Sequence, residues 1–420
     1  MPQGSRGRLR VALVYRSFNL AGSLARETVE LARHLSHRHE VHVFSIASRT
    51  DSSLAPECAF HAVPVWSLGD GQRFSARELA SFARHAAELV SRERFDVVHT
   101  CAPSTWVGNV LHVPGVSREE ARLQGIPAWR YAAQALRHPG DAVRRRLERK
   151  SLGYLDLQRV HAAAPSVRDA LEKHYGISPA DILIVPPAVN LDEFQPAVDK
   201  AAARAAVGVD DPDVLVLLFC GSAFARKGLD RAIVALGEVR ANALLLVVGG
   251  GPEEPYRRLA ATHGVREHVR FVGVREDAWR FYQAADIVLL PTRADVWGIT
   301  PFEGMACGVP PIVTAAAGSA SAVVDGETGI VLAEPFANRA LVHAIERLAS
   351  DPVLRSTMGE AGVDEARNHS HVERSRRIEE DLVSVAEERL AGGGRASSET
   401  KHGLMRRRDR RQTHRKRSHG

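Results

Sequence analysis

Runs of apolar residues alternate with amphipathic stretches along nearly the whole chain. Short continuous apolar runs at 10–15, 41–45, 95–99, 158–163 and 182–187 predict strands in the first half. Between them, 24–38 carries apolar residues at helical spacing, 114–150 is arginine-rich and helical in pattern, and 166–174 predicts a further helix. A turn-like segment at 188–196 separates this series from a second one. There, strands are predicted at 214–220, 243–248, 269–272, 287–290 and 311–314. Helices follow Gly228 and occupy 255–263, 278–285 and 301–306, with a turn over 324–329 and mostly helix over 336–350 and 352–390. Strands buried on both faces and separated by helices indicate parallel sheets with crossover connections. The expected fold class is α/β, with two tandem Rossmann-like domains and a cleft between them at the carboxyl ends of the strands. The expected division is 1–195, 196–370, a helix over 371–391 that packs back towards the first domain, and a disordered basic tail over 392–420.

Composition agrees with a two-domain globular chain. Its 420 residues are 45% hydrophobic and 25% charged, ample for two cores and unlike a fibrous, disulfide-stapled or mostly disordered protein. No apolar run approaches the roughly 18 residues of a membrane-spanning helix, and the apolar stretch near the N-terminus is too short for a signal peptide. The expectation is a cytoplasmic protein. The net charge of +6 is concentrated at one end: residues 401–420 hold nine Lys/Arg against Asp409, leaving about −2 for the other 400. Such a tail suits anionic partners, a membrane surface or nucleic acid, or serves as a solubilising end. Cys58, Cys101, Cys220 and Cys307 lie far apart without a CxxC pair and read as buried reduced thiols. His37, His39 and His42 invite a metal reading, but their polar turn before a strand favours surface or strand-end histidines. No metal site is expected.

The candidate chemistry lies in four segments. In the first, 291–310, a strand ends before a loop with Asp295 and Gly298, and a helix opens near Pro301 with Glu303 in its first turn. Backbone N–H groups of Gly298, Ile299 and Thr300 near a helix start favour phosphate, and carboxylates beside it suit sugar or ribose hydroxyls. Taken alone, Glu303 fits equally well as an acid complementing the helix dipole. In the second, Gly221 precedes Arg226-Lys227-Gly228, a basic pair in a chain with six Lys against fifty Arg. In the third, Val274 and Arg275 follow a strand, and Arg275 reads either as a planar cation over a base or as a surface arginine. In the fourth, Gly22 lies in the loop after the first strand. The triple glycine 249–251 does not keep G-x-G-x-x-G spacing and has Pro252 in the would-be turn, against a dinucleotide fingerprint.

The segment 295–310 resembles the E-x7-E motif of the retaining GT-B glycosyltransferases of family 4, with Asp295 and Trp297 where the family commonly has Glu and Phe. Asp is shorter by one C–C bond, about 1.5 Å. The basic pair and the segment around Arg275 are similar to the lipopolysaccharide-core glucosyltransferases of that family. The resemblance implies transfer of a hexosyl unit from a nucleotide diphosphate sugar, UDP-sugar favoured, to an acceptor hydroxyl with retention, without metal or cofactor. It implies that Arg226 and Lys227 neutralise the diphosphate and that Asp295 holds sugar hydroxyls. Glu303 would hold the ribose, Val274 and Arg275 the base. Gly22, Gly221, Gly298, Ile299 and Thr300 would give backbone access to the donor. It also implies a histidine in a loop near the reacting sugar, for which His112 is the candidate and His99 the second. Expected partners are the donor and a glycan, lipid-linked or small-molecule acceptor, with peripheral contact at the anionic inner membrane face and no specific nucleic acid. Two alternatives stay open: a sugar-nucleotide epimerase of the same fold, and a non-catalytic binder of anionic polymers through the tail.

Overall fold

The computed structural model describes residues 7–20, 23–66, 75–123, 126–333 and 338–391. Gly22 and the basic tail lie outside the described residues. The first series runs β1 (Arg10–Val14), α1 (Ser23–Ser36), β2 (Glu40–Ser45), β3 (Ala59–Ala62), α2 (Ala76–Val90) and β4 (Val97–Cys101). It continues with β5 (Val110–Val113), α3 (Ser117–Leu123), α4 (Ala128–Arg137), α5 (Pro139–Leu152), β6 (Arg159–Ala162), α6 (Pro165–Tyr175) and β7 (Ile182–Ile184). Its strands form a parallel sheet in the order β3-β2-β1-β4-β5-β6-β7.

The second series opens with α7 (Lys200–Ala206), β8 (Leu215–Cys220), α8 (Phe224–Lys227), α9 (Leu229–Glu238), β9 (Ala243–Val248) and α10 (Glu254–Thr262). Then come β10 (Val269–Gly273), α11 (Trp279–Ala284), β11 (Ile287–Leu290), α12 (Thr300–Ala306), β12 (Pro311–Thr314) and β13 (Ile330–Leu332). The described residues close with α13 (Asn338–Ser350), α14 (Pro352–Arg367) and α15 (His371–Ala391). The second sheet is also parallel, in the order β10-β9-β8-β11-β12-β13. Both orders reverse once, between β1 and β4 and between β8 and β11, and ligands bind at the carboxyl ends of strands beside such a reversal.

Local chemistry sets the boundaries. β9 is buried at every position and β8 at all but its last, as strands covered on both faces must be. β4 begins two residues later than its apolar run; at Asp96 the carboxylate, and not a backbone carbonyl, accepts the Arg10 amide at 2.7 Å, while the Asp96 N–H donates to the Arg10 carbonyl at 3.0 Å. The helical stretch 114–150 is cut into α3, α4 and α5, with Pro127 just before α4 and Pro139 opening α5. The pattern did not announce β3, α2, β5 or β13. α2 carries a full capping box, Ser75 with Glu78. His39 and His42 are buried rather than at the surface: His39 shares the Glu379 carboxylate with His34, and His42, within β2, lies beside β3 and its His61.

α15 lies on α1. Its Ile378, Leu382 and Val385 share a core with Val11, Leu13, Val29, Leu35 and Val41. The chain passes between the two sheets' territories twice, and the two crossings touch: Val189 N–H donates to the His369 carbonyl at 2.9 Å.

Candidate active site

The loops after β8 and β11 meet at the reversal point of the second sheet. Gly221 follows β8 with φ of 144°, and a Cβ there would lie 2.6 Å from Lys227 Nζ, so the glycine leaves the lane along which Lys227 runs. Lys227 Nζ donates to the Cys220 carbonyl at 3.4 Å and makes no ion pair among the described residues. Its neighbour Arg226 reaches the other loop. Arg226 Nη1 donates to the Ala294 carbonyl at 3.0 Å and stands 2.8 Å from Asp295 Oδ2. The backbone locks the same pairing, with the Arg226 carbonyl accepting from Arg293 N–H and Thr292 Oγ1, both at 2.9 Å.

Gly298 adopts φ of 77° ahead of α12, and a Cβ there would meet Leu290 at 2.9 Å. Ile299 and Thr300 follow, and Thr300 Oγ1 donates to the Cys220 carbonyl at 3.3 Å. Glu303, in the first turn of α12, accepts a hydrogen bond from the Tyr282 hydroxyl. Burial pushes its carboxyl above the usual range, opposed by the Tyr282 bond, Lys227 and Arg26. Cys220, Lys227, Thr300 and Glu303 thus converge, with Arg226 and Asp295 beside them. Val274 is exposed after β10, and Arg275 is held flat against Asp277 by two bonds of 2.8 Å.

The opposite wall comes from the first domain. Arg26 in α1 bridges to Glu193 at 3.4 Å, and its charge reaches Glu303. Burial and Glu148 push the Glu120 carboxyl in α3 above its usual range, against Arg144 and Arg226.

Two family models divide the chain between them at this cleft. The "Glycosyltransferase Family 4" model matches 24–193 and the "Glycosyl transferases group 1" model matches 201–364, together well over half of the chain. The chain belongs to the group 1, family 4 glycosyltransferases. Among its relatives, a D-inositol 3-phosphate glycosyltransferase of Kribbella flavida is 36% identical over 46% of this chain and 48% of its own. The lipopolysaccharide glucosyltransferase WaaG of Escherichia coli K12 is 34% identical over 45% of this chain and 52% of its own. The chain thus spans about half the length of these curated relatives. A crystal structure of WaaG superposes with a TM-score of 0.72 at 24% identity, covering 89% of this chain and 99% of that one. The fold is GT-B.

Of the residues expected from the chain's second half, Gly221, Arg226, Lys227, Asp295, Gly298, Ile299, Thr300 and Glu303 lie on the two loops that meet, while Val274 and Arg275 follow β10, Val274 exposed and Arg275 engaged by Asp277. His112 does not sit in a loop: it lies within β5, its ring buried and both ring nitrogens without a hydrogen-bond partner among the described residues. It lines a cavity of about 10 Å³, room for one water, with Leu24, Glu27, Thr28, His99, Cys101 and Arg374. Burial first, then Arg374, His161 and His99, hold it well below the usual histidine range, so the ring is neutral. It belongs in the strand because Leu111 and Val113 point to the core on one face while His112 takes the other. Tyr282, Arg26 and the buried pair Glu27–Arg374, 3.0 Å apart, escaped the linear pattern. Each meets its partner across a large sequence gap; only the apolar setting of Tyr282 marked it, as a core residue.

Proposed function

We propose that the chain transfers a hexosyl unit from a nucleotide diphosphate sugar, UDP-hexose foremost, to an acceptor hydroxyl with retention of anomeric configuration. The observation that carries this reading is the convergence of Lys227, Arg226, Asp295 and Glu303 at the carboxyl ends of β8 and β11. Lys227 and Arg226 are the cations that meet the diphosphate and stabilise its charge as it departs, so the step runs without a metal. Asp295, oriented by Arg226, accepts from sugar hydroxyls, and Glu303, oriented by Tyr282, accepts from the ribose. Val274 and Arg275 flank the base. Gly22, Gly221, Gly298, Ile299 and Thr300 give the donor its backbone contacts. The acceptor hydroxyl attacks on the face the diphosphate leaves, and a diphosphate oxygen takes its proton. The relatives' names support two acceptor classes, a phosphorylated polyol and a lipid-linked saccharide. For the second, the protein works at an anionic membrane face; no described helix is long and apolar enough to cross it.

A thermal-shift panel of UDP, GDP, ADP, their sugar conjugates and NAD, with and without EDTA, tests the donor. A ligand at 100 times its Kd stabilises by about 2.7 kcal/mol, a shift of several degrees. A shift with UDP or UDP-sugar that EDTA leaves unchanged is expected. A shift with NAD alone overturns the reading, and conversion of the donor sugar without acceptor reveals an epimerase. The anomeric proton coupling of the product reports retention.

A further inference from the structure

At the amino-terminal end of the first sheet, away from the candidate donor loops, β1, β2, β3 and the turn after α2 gather Arg10, Glu40, His42, His61 and Glu93. The register pairs Phe44 with His61, so His42 and His61 are diagonal neighbours on one face. His42 Nε2 lies 2.8 Å from Glu40 Oε1. A carboxylate that close requires the proton on Nε2, which fixes the tautomer and leaves a lone pair on Nδ1. Arg10 Nη2, 3.3 Å from the same Nε2, is then a contact and not a hydrogen bond.

His42 Nδ1 is 2.9 Å from His61 Nε2. A neutral His61 places its one proton there, so its Nδ1 presents a lone pair towards Glu93 Oε1, 4.0 Å away and too far for a hydrogen bond. The other Glu93 oxygen is taken by Arg10 Nη2 at 3.1 Å, and Glu40 by Arg10 Nε at 2.8 Å. His61 Nδ1 and Glu93 Oε1 are therefore two acceptors facing one another across a gap, and the His42 Nδ1 lone pair beside them is held only by the His61 proton. One nitrogen of each ring and one oxygen of Glu93 all lie within 4.8 Å of one another. Phe44 stacks on His61 at 4.3 Å, and Phe95 closes edge-on against His42 at 5.1 Å, which holds both rings in place.

We propose that His42, His61 and Glu93 form a structural site for a zinc-class divalent cation. Two imidazoles and one carboxylate suit Zn²⁺ and its late first-row neighbours better than Mg²⁺ or Ca²⁺. Glu40 and Arg10 are the outer partners: Glu40 holds the His42 proton away from the ion, and Arg10 turns the free Glu93 oxygen towards it. At Zn–N distances near 2.0–2.1 Å, tetrahedral ligand nitrogens stand roughly 3.3 Å apart, so the ion replaces the His61 Nε2–H bond to His42 Nδ1, the His61 ring turning to bring its unprotonated nitrogen to the metal. Water fills the fourth position from the side where Glu93 and His61 are partly exposed. The ion ties β3, a four-residue edge strand paired only to β2, to the turn that leads into β4.

The test uses the full chain, stripped with a chelator and titrated with Zn²⁺ by calorimetry and with Co²⁺ by visible absorption. Glu93→Gln, His61→Ala and, as a surface control, His263→Ala are compared with wild type; tail histidines give the same background in all four. One equivalent is expected to bind to wild type and to the control, at least tenfold more weakly to Glu93→Gln, and not at all to His61→Ala. Zn²⁺ should raise the Tm of wild type and control only. Glu93→Gln keeps its shape and an acceptor for Arg10, so it serves if His61→Ala does not fold. Titrations of wild type and Glu93→Gln that coincide overturn the proposal.

Discussion

Lys227→Ala isolates the charge that the candidate site offers to a diphosphate. Its Nζ makes one bond of 3.4 Å to the Cys220 carbonyl, so truncation should cost under about 1 kcal/mol of stability. Against a phosphate oxygen 4 Å away, a unit charge at an effective dielectric near 20 is worth about 4 kcal/mol. Lys227 is half-buried, and screening brings this to roughly 2 kcal/mol. At 1.36 kcal/mol per decade, kcat/KM should fall about thirtyfold. The assay is release of nucleoside diphosphate in a coupled reaction, with Tm measured alongside. A loss mainly in kcat means that the lysine acts on the departing charge; a loss mainly in KM means that it grips donor and transition state alike. Wild-type kcat/KM at unchanged Tm would refute the assignment of this loop to the diphosphate.

Glu303→Gln should slow turnover at least tenfold while leaving the apo protein as stable as wild type or more so. Burial raises the Glu303 pKa, so its contribution to stability is full below the ordinary carboxyl range and is lost as pH rises through the raised value. The variant's advantage should accordingly grow between pH 4 and 7, read as ΔTm against wild type across that range; an advantage that shrinks on going to pH 7 contradicts this. Arg374→Ala strands Glu27 as an uncompensated buried charge, both side chains being under 8% exposed, and should cost about 3–5 kcal/mol in urea unfolding. Recovery of much of that loss in the Glu27→Gln, Arg374→Met double variant is the matching expectation. Gly298→Ala must hold φ near 77° with a Cβ 2.9 Å from Leu290, and should lower both Tm and turnover. Deleting 397–420 should leave the UDP-sugar midpoint shift unchanged; its disappearance would make the tail part of the donor site.

Contiguity decided what could be read from the chain. β8, β9 and β11 are unbroken apolar runs, and their boundaries in the structure match the pattern within a residue. β3 reads AFHA and β5 VLHV; four residues with a histidine among them carry no clear period, and only pairing with neighbours makes them strands. The candidate site divides in the same way. Arg226, Lys227, Asp295 and Glu303 were legible because each lies in a compact stretch at a strand–helix junction. That Arg226 pairs with Asp295, and that Tyr282 bonds Glu303, follows from strand order in the sheet, which sequence spacing does not encode. His112 was misplaced for a related reason: a short strand with one polar position looks like the start of a loop.

The return of α15 to α1 has a consequence for how the chain is made. Ile378, Leu382 and Val385 complete the core over β1 and β2, and Arg374 neutralises Glu27 in α1. The amino-terminal domain is therefore the first to leave the ribosome and the last to be finished. All strands of the second sheet, with α13 and α14, lie before residue 368 and can close first. Until residue 391 is clear of the exit tunnel, α1 carries an uncovered apolar face and an unpaired carboxylate. α15 sets the moment at which the earlier half becomes native, reversing the usual order in which domains mature during synthesis.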